Sequence, residues 1–183
     1  NGDKKQTPND GSKKNDTDTK TVTQKDSLKR GDTFWQGNLK YKIVSITSKR
    51  KEVSIVANRW KKSSLTIVAK VKYKGVVFQI TDVGKKAFYG NKTVKKIIIK
   101  DTVNKLGQQA FSKMRSLQTV TIGKSITCID KKAFYQDKQL KKIVVKSKKI
   151  SKVGKKAFQR IGKKAQFRVP IQKKRQYKKM FRK

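Results

Sequence analysis

The chain has 183 residues, with 51 Lys and Arg against 11 Asp and Glu, one Cys and no His, for a formal net charge of +40. One cysteine cannot close an intramolecular disulfide, and without His the commonest general base is missing. No apolar run approaches the ~18 residues of a membrane-spanning helix, so no transmembrane segment is encoded, and the length suffices for one or two domains.

Residues 1–30 contain Val22 and Leu28 and little else that is apolar. Such a segment cannot bury enough surface to offset its ordering entropy, so it is expected to be a disordered polar linker. The chain starts at Asn1 rather than Met, which reads as an excised piece whose signal peptide or anchor would lie outside it. The charge does not sit here. Residues 1–32 hold eight basic and six acidic side chains, leaving 33–183 with 43 basic, five acidic and a balance of +38. An object so charged repels itself and attracts polyanions.

Residues 31–79 read as a β-rich N-terminal cap. Leu39-x-Tyr41-x-Ile43, Val53-x-Ile55, Leu65-x-Ile67 and Val71-x-Tyr73 alternate with the period of a strand. Lys74-Gly75 then supplies a tight turn into Val76, Val77 and Phe78. Leu65-Thr66-Ile67 also matches the strand of the repeat that follows, without the rest of it.

That repeat fills residues 80–170. Ala87-Phe88 returns as Ala110-Phe111, Ala133-Phe134 and Ala157-Phe158, at intervals of 23, 23 and 24 residues. A fixed period of this length signals a solenoid. Ile80, Val103, Ile126 and Ile150 open the copies, with Val83, Leu106, Ile129 and Val153 three residues later. After each Ala-Phe comes an apolar set ending in Ile97-x-Ile99, Val120-x-Ile122, Ile143-x-Val145 or Phe167-x-Val169. Those endings have period 2, so each copy predicts a turn or short helix around Ala-Phe and then one strand. Gly84, Gly107 and Gly154 suit a turn that needs positive φ. About four rungs result, and stacking them buries a continuous core that no single rung could.

Residues 171–183 place Tyr177, Met180 and Phe181 on one helical face after Pro170. This predicts a short C-terminal capping helix over the last rung; a basic membrane-surface helix is the alternative.

The phrase Ile-x-x-Val-Gly-Lys-Lys-Ala-Phe, present at 80–88 and 150–158, together with the Leu-x-x-Ile-x-Val at 140–145, resembles the BspA-like leucine-rich repeats of bacterial cell-surface proteins. The resemblance is close over 80–170, and 31–79 and 171–183 are similar to the caps that flank such repeats. It implies a β-dominated α/β leucine-rich-repeat solenoid on an extracellular or surface-attached bacterial protein, linked to adhesion or ligand binding, with no catalytic residues. Two departures stand out. Asn91, Met114, Asp137 and Ile161 occupy a position where many family repeats carry Cys or Asn. Lys100, Gly123 and Lys146 replace a proline that only Pro170 keeps.

No catalytic constellation is visible, and neither enzyme activity nor a metal or cofactor is expected. Past residue 32 the carboxylates are Glu52, Asp82, Asp101, Asp130 and Asp137, and no two share a repeat position. Asp130 replaces a repeat glycine and reads as a turn residue. Binding has a better basis. Residues between the inward strand positions point outward, which makes Lys96, Lys100, Lys142, Lys146 and Arg168 a basic face beside a stripe of Ile98, Thr121 and Val144. Lys in place of Arg favours salt-sensitive polyanion contacts over bidentate recognition. The expected partner is a macromolecule, either a protein or an anionic polymer such as a teichoic acid or a sulfated glycan. Nucleic acid is the weaker alternative, because base-stacking aromatics are not interleaved with these basic positions. A spacer role within a larger surface protein is the third reading.

Overall fold

A computed structural model describes residues 27–182. Most of the linker expected over 1–30 therefore lies outside the described residues.

The chain first builds an antiparallel unit from β1 (Thr33–Gln36), β2 (Leu39–Ile46) and β3 (Lys51–Asn58). The alternation in β2 faces Leu39, Tyr41 and Ile43 into the core. After β4 (Ser64–Ile67), a hairpin joins β5 (Lys70–Tyr73) to β6 (Val76–Val83). Its turn residues Lys74 and Gly75 have φ of 45° and 77°, the left-handed pair that a two-residue hairpin requires.

From β6 the chain winds as a solenoid with two strands per turn. One set is β7 (Lys96–Ile99), β9 (Thr119–Ile122), β11 (Lys142–Val145) and β13 (Gln166–Arg168). The other is β8 (Lys105–Leu106), β10 (Cys128–Ile129) and β12 (Lys152–Val153). β4, β7, β9, β11 and β13 form a parallel five-stranded sheet in that order. The two-residue strands extend a second sheet in the order β1-β2-β3-β6-β8-β10-β12, with β5 hydrogen-bonded to β6. The five-stranded sheet has one strand more than the four Ala-Phe copies, because β4 supplies the first rung with Leu65 and Ile67 alone.

The Ala-Phe segments are turns rather than helices. Phe88, Phe111, Phe134 and Phe158 are buried and stack ring on ring at 5.2 Å between successive centroids. The spacing is that of the hydrogen-bonded rungs, so the backbone ladder and the ring stack share one repeat.

The glycine expectation needs correction. Positive φ falls two residues later, on Lys86, Gln109, Lys132 and Lys156, and again on Gly90, Lys113, Gln136 and Arg160. Gly107 instead serves a close approach. A Cβ there would stand 2.8 Å from the carbonyl oxygen of Val83 in the rung before.

The 3₁₀ turn Ile171–Lys173 and α1 (Lys174–Phe181) close the C-terminal end. Tyr177 is fully buried. Its hydroxyl donates to the Ser147 carbonyl and accepts from the Ile150 N–H, each at 3.1 Å. Phe181 packs on Phe158 and Phe167, so the apolar face of α1 turns toward the last rung and not outward.

Candidate binding face

Parallel register converts repeat positions into rows across the five-stranded sheet. Inward rows such as Leu65-Ile97-Val120-Ile143-Phe167 fill the core. Between them lie two outward rows. One is Ser64-Lys96-Thr119-Lys142-Gln166, and the next is Thr66-Ile98-Thr121-Val144-Arg168. Lys100 and Lys146 continue the ladder just past their strands, donating backbone N–H bonds to Ile67 and Ile122 at 3.1 and 2.9 Å.

All eight residues predicted from the sequence therefore share one face, with two qualifications. Ile98, Thr121 and Val144 are a contiguous half-buried stripe, but Arg168 ends that same row and does not flank it. Rung two interrupts the cations, with Thr119 between Lys96 and Lys142 and Gly123 between Lys100 and Lys146. Gly123 is buried, and a Cβ on it would lie 2.6 Å from the Lys100 carbonyl oxygen and 2.7 Å from that of Ile99. Gly123→Ala is expected to destabilise the fold by roughly 1–3 kcal/mol, as overpacking against backbone does. Chemical denaturation checks this, and an unchanged midpoint would show that the rungs can part at little cost.

No carboxylate belongs to either outward row. Asp101 lies beyond the strand, where it accepts the Lys124 N–H at 2.8 Å and pairs with the Lys124 ammonium at 4.0 Å. The second sheet is different. Lys105 on β8 forms an ion pair with Asp130 at 3.1 Å, and the hydrogen bond its ammonium donates to that carboxylate is the main cause holding its pKa above the ordinary value. Asp130 thus does more than the turn role read from the sequence. Burial raises the Asp82 carboxyl pKa, against a 2.8 Å hydrogen bond from Thr81 and the charge of Lys105. Asp82 and Asp130 stand at different repeat positions and are not stacked by the ladder, but both lie around Lys105. Cys128 lies beside them, its thiol pKa raised by burial and by Asp130, so little of it is thiolate at neutral pH. Among the described residues no three His, Cys, Asp or Glu side chains are grouped to hold a metal ion.

Two features escaped the sequence reading. The first is at the Ala-Phe corner, where the ammonium groups of Lys86 and Lys113 each lie over the Tyr89 ring, 5.5 Å from its centroid. Lys132 at 5.3 Å and Arg160 at 5.8 Å likewise lie over the Tyr135 ring. Aromatics and cations are interleaved here, though not on the strand face. The signal was the shared phrase Ala-Phe-Tyr at 87–89 and 133–135. The second is a segregation of charge along the axis. Every carboxylate side chain past residue 32 precedes position 138, and residues 138–183 carry twenty Lys and Arg with none.

Comparison with known proteins gives the same architecture. A leucine-rich repeat protein from Bacteroides capillosus superposes with a TM-score of 0.65 at 19% identity, over 75% of this chain and 98% of that one. A leucine-rich repeat protein from Bacteroides ovatus gives 0.60 at 22% identity, over 74% of this chain and 37% of that one. A leucine-rich cell surface protein from Faecalibacterium prausnitzii gives 0.52 at 19% identity, over 76% and 43% respectively. The chain thus spans less than half the length of the last two. No curated relative matches the chain. The model of the BspA-type leucine-rich repeat region matches residues 70–183 in six copies. That match begins in β5, before the first Ala-Phe, and runs through α1, so the repeat signal and the coiled two-sheet fold cover the same ground: the chain belongs to the BspA-type leucine-rich repeat family.

Proposed function

We propose that this module is a non-enzymatic binding unit of a bacterial surface or secreted protein, and that the outer face of its five-stranded sheet holds an anionic polymer such as a teichoic acid or a sulfated glycan. The observation that carries this reading is the register. It sets Lys96, Lys100, Lys142, Lys146 and Arg168 around the half-buried stripe of Ile98, Thr121 and Val144, with no carboxylate in either outward row. A polymer laid across the rungs relieves the repulsion between these cations and releases its own counterions. The cell-surface description of one similar structure supports the location. The face carries no aromatic side chain on which a base could stack, which favours a polymer without bases over nucleic acid.

The test compares charge-matched triple variants against dextran sulfate over a salt series. Lys96→Gln, Lys142→Gln and Lys146→Gln together are expected to weaken binding by about tenfold or more and to lower the log–log salt slope by about 2. The control, Lys49→Gln, Arg50→Gln and Lys51→Gln in the exposed β2–β3 hairpin, is expected to change little. Equal losses in both would make the attraction diffuse, and no binding at low salt would leave a protein partner or a spacer role as the better reading.

A further inference from the structure

The Ala-Phe corner of the solenoid carries a second basic surface. Its geometry comes from the second left-handed position of each turn, occupied by Gly90, Lys113, Gln136 and Arg160 with φ from 58° to 71°. Lys113 and Arg160 each reach back over the tyrosine of the rung before. Beside this ridge run two adjoining hollows that share Lys138. Lys113 and Arg115 line the first with Gln136; Arg160 and Lys163 line the second. Five cations from three consecutive rungs thus border one groove running along the solenoid axis.

Among the described residues none of the five forms an ion pair. The only carboxylate side chain after Asp130 is Asp137, which is fully buried. A groove lined by one sign of charge focuses the field on whatever enters it. The two tyrosines do not line the hollows, and protein cations already lie over each ring, which favours an anionic chain over stacked bases.

We infer that this groove is a second seat for a sulfated polysaccharide, separate from the strand face, with the polymer running across rungs two to four. Lys113, Arg115, Lys138, Arg160 and Lys163 contact its sulfates, and the cation–tyrosine contacts hold Lys113 and Arg160 at the rim. The inference rests on the anionic-polymer reading of the module but not on the strand face being the site.

The test titrates the full chain with a heparin-derived octasaccharide by calorimetry, at salt between about 50 and 200 mM. The groove variant is Lys113→Gln, Lys138→Gln and Arg160→Gln. Glutamine already occupies left-handed positions at 109 and 136, so the backbone accepts it at 113 and 160, and an unchanged thermal midpoint confirms folding. Wild type is expected to bind two oligosaccharides. The groove variant should bind one, with the summed salt slope lowered by about 2, and the strand-face triple should also bind one. Two sites retained in the groove variant overturn the inference and leave the strand-face reading standing. A single site, lost only in the groove variant, supports the groove and removes the strand face. Tighter binding of a thymidine oligonucleotide than of the octasaccharide, abolished by the groove variant, overturns the assignment in favour of a nucleic-acid groove. Absence of any binding rejects both.

Discussion

Phe111→Ala is expected to cost about 3–5 kcal/mol, the range of deep aromatic truncations. Phe111 is fully buried and has a stacked ring on each side, Phe88 and Phe134, both at 5.2 Å. Its loss therefore damages two rung interfaces at once. In a repeat array stability is close to a sum of unit and nearest-neighbour terms, so the damage lands on the coupling between the two halves of the solenoid. Urea denaturation should show a lower midpoint and a shallower transition, the mark of halves that no longer unfold together. Tyr89→Ala, one residue beyond the Ala87-Phe88 pair but 38% exposed, should cost under about 1 kcal/mol. A loss at Phe111 no larger than that at Tyr89 would mean the ring stack does not hold the rungs together.

The second large effect depends on pH and belongs to Asp137. This residue is fully buried between repeat neighbours Met114 and Ile161, the one buried and the other half-buried. One carboxyl oxygen accepts the Met114 N–H at 2.8 Å, while the other has no partner. Burial pushes the pKa up to about 8, with the Met114 hydrogen bond opposing. The folded state then keeps a proton that the unfolded chain releases near pH 4. Between those values the native state binds more protons, so stability falls as pH rises. The contribution is intact below about pH 4, drains away through neutrality, and is gone above about pH 8, amounting to several kcal/mol, on the order of 5 at most. Asp137→Asn removes the ionisation. It should raise the thermal midpoint at pH 8, change it little at pH 5, and flatten the slope between. Parallel pH profiles for wild type and variant would show that water or rearrangement solvates the carboxylate. Rung one already uses an amide here: Asn91 accepts the Thr93 and Val94 N–H groups and donates to the Asn58 side chain and the Trp60 carbonyl.

Repeat spacing carried the rungs, their inward residues and the sharing of one face by Lys96, Ile98, Lys100, Thr121, Lys142, Val144, Lys146 and Arg168, because period 2 within a strand and 23–24 between rungs leaves little freedom in register. Other features depend on contacts that spacing does not encode. The strands β8, β10 and β12 have two residues each, too few for alternation to register. Left-handed backbone at Lys86, Gln109 and Lys132 goes with an N–H bond from each to the next rung, as in Lys86 N–H to the Gln108 carbonyl at 3.0 Å. Local preference would have put it on glycine, and the glycines are used instead where rungs crowd. The approach of Lys113 to Tyr89 crosses 24 residues of sequence, and Asp137 is one of four different residues at its repeat position. Its burial became visible only with Met114 and Ile161 stacked on either side.

The uneven placement of carboxylates has a kinetic consequence. With every one of them past residue 32 lying before position 138, and twenty cations after it, the molecule has a permanent dipole moment whose positive pole is the end capped by α1. A dipole near a negatively charged surface experiences a torque before it makes contact, so under the anionic-polymer reading proposed above the module would arrive turned, with its last rungs foremost. Productive collisions would then form a larger share of all collisions than random tumbling allows. Added electrolyte shortens the range of that torque to about 8 Å at physiological ionic strength, so the orientation is set only in the final approach.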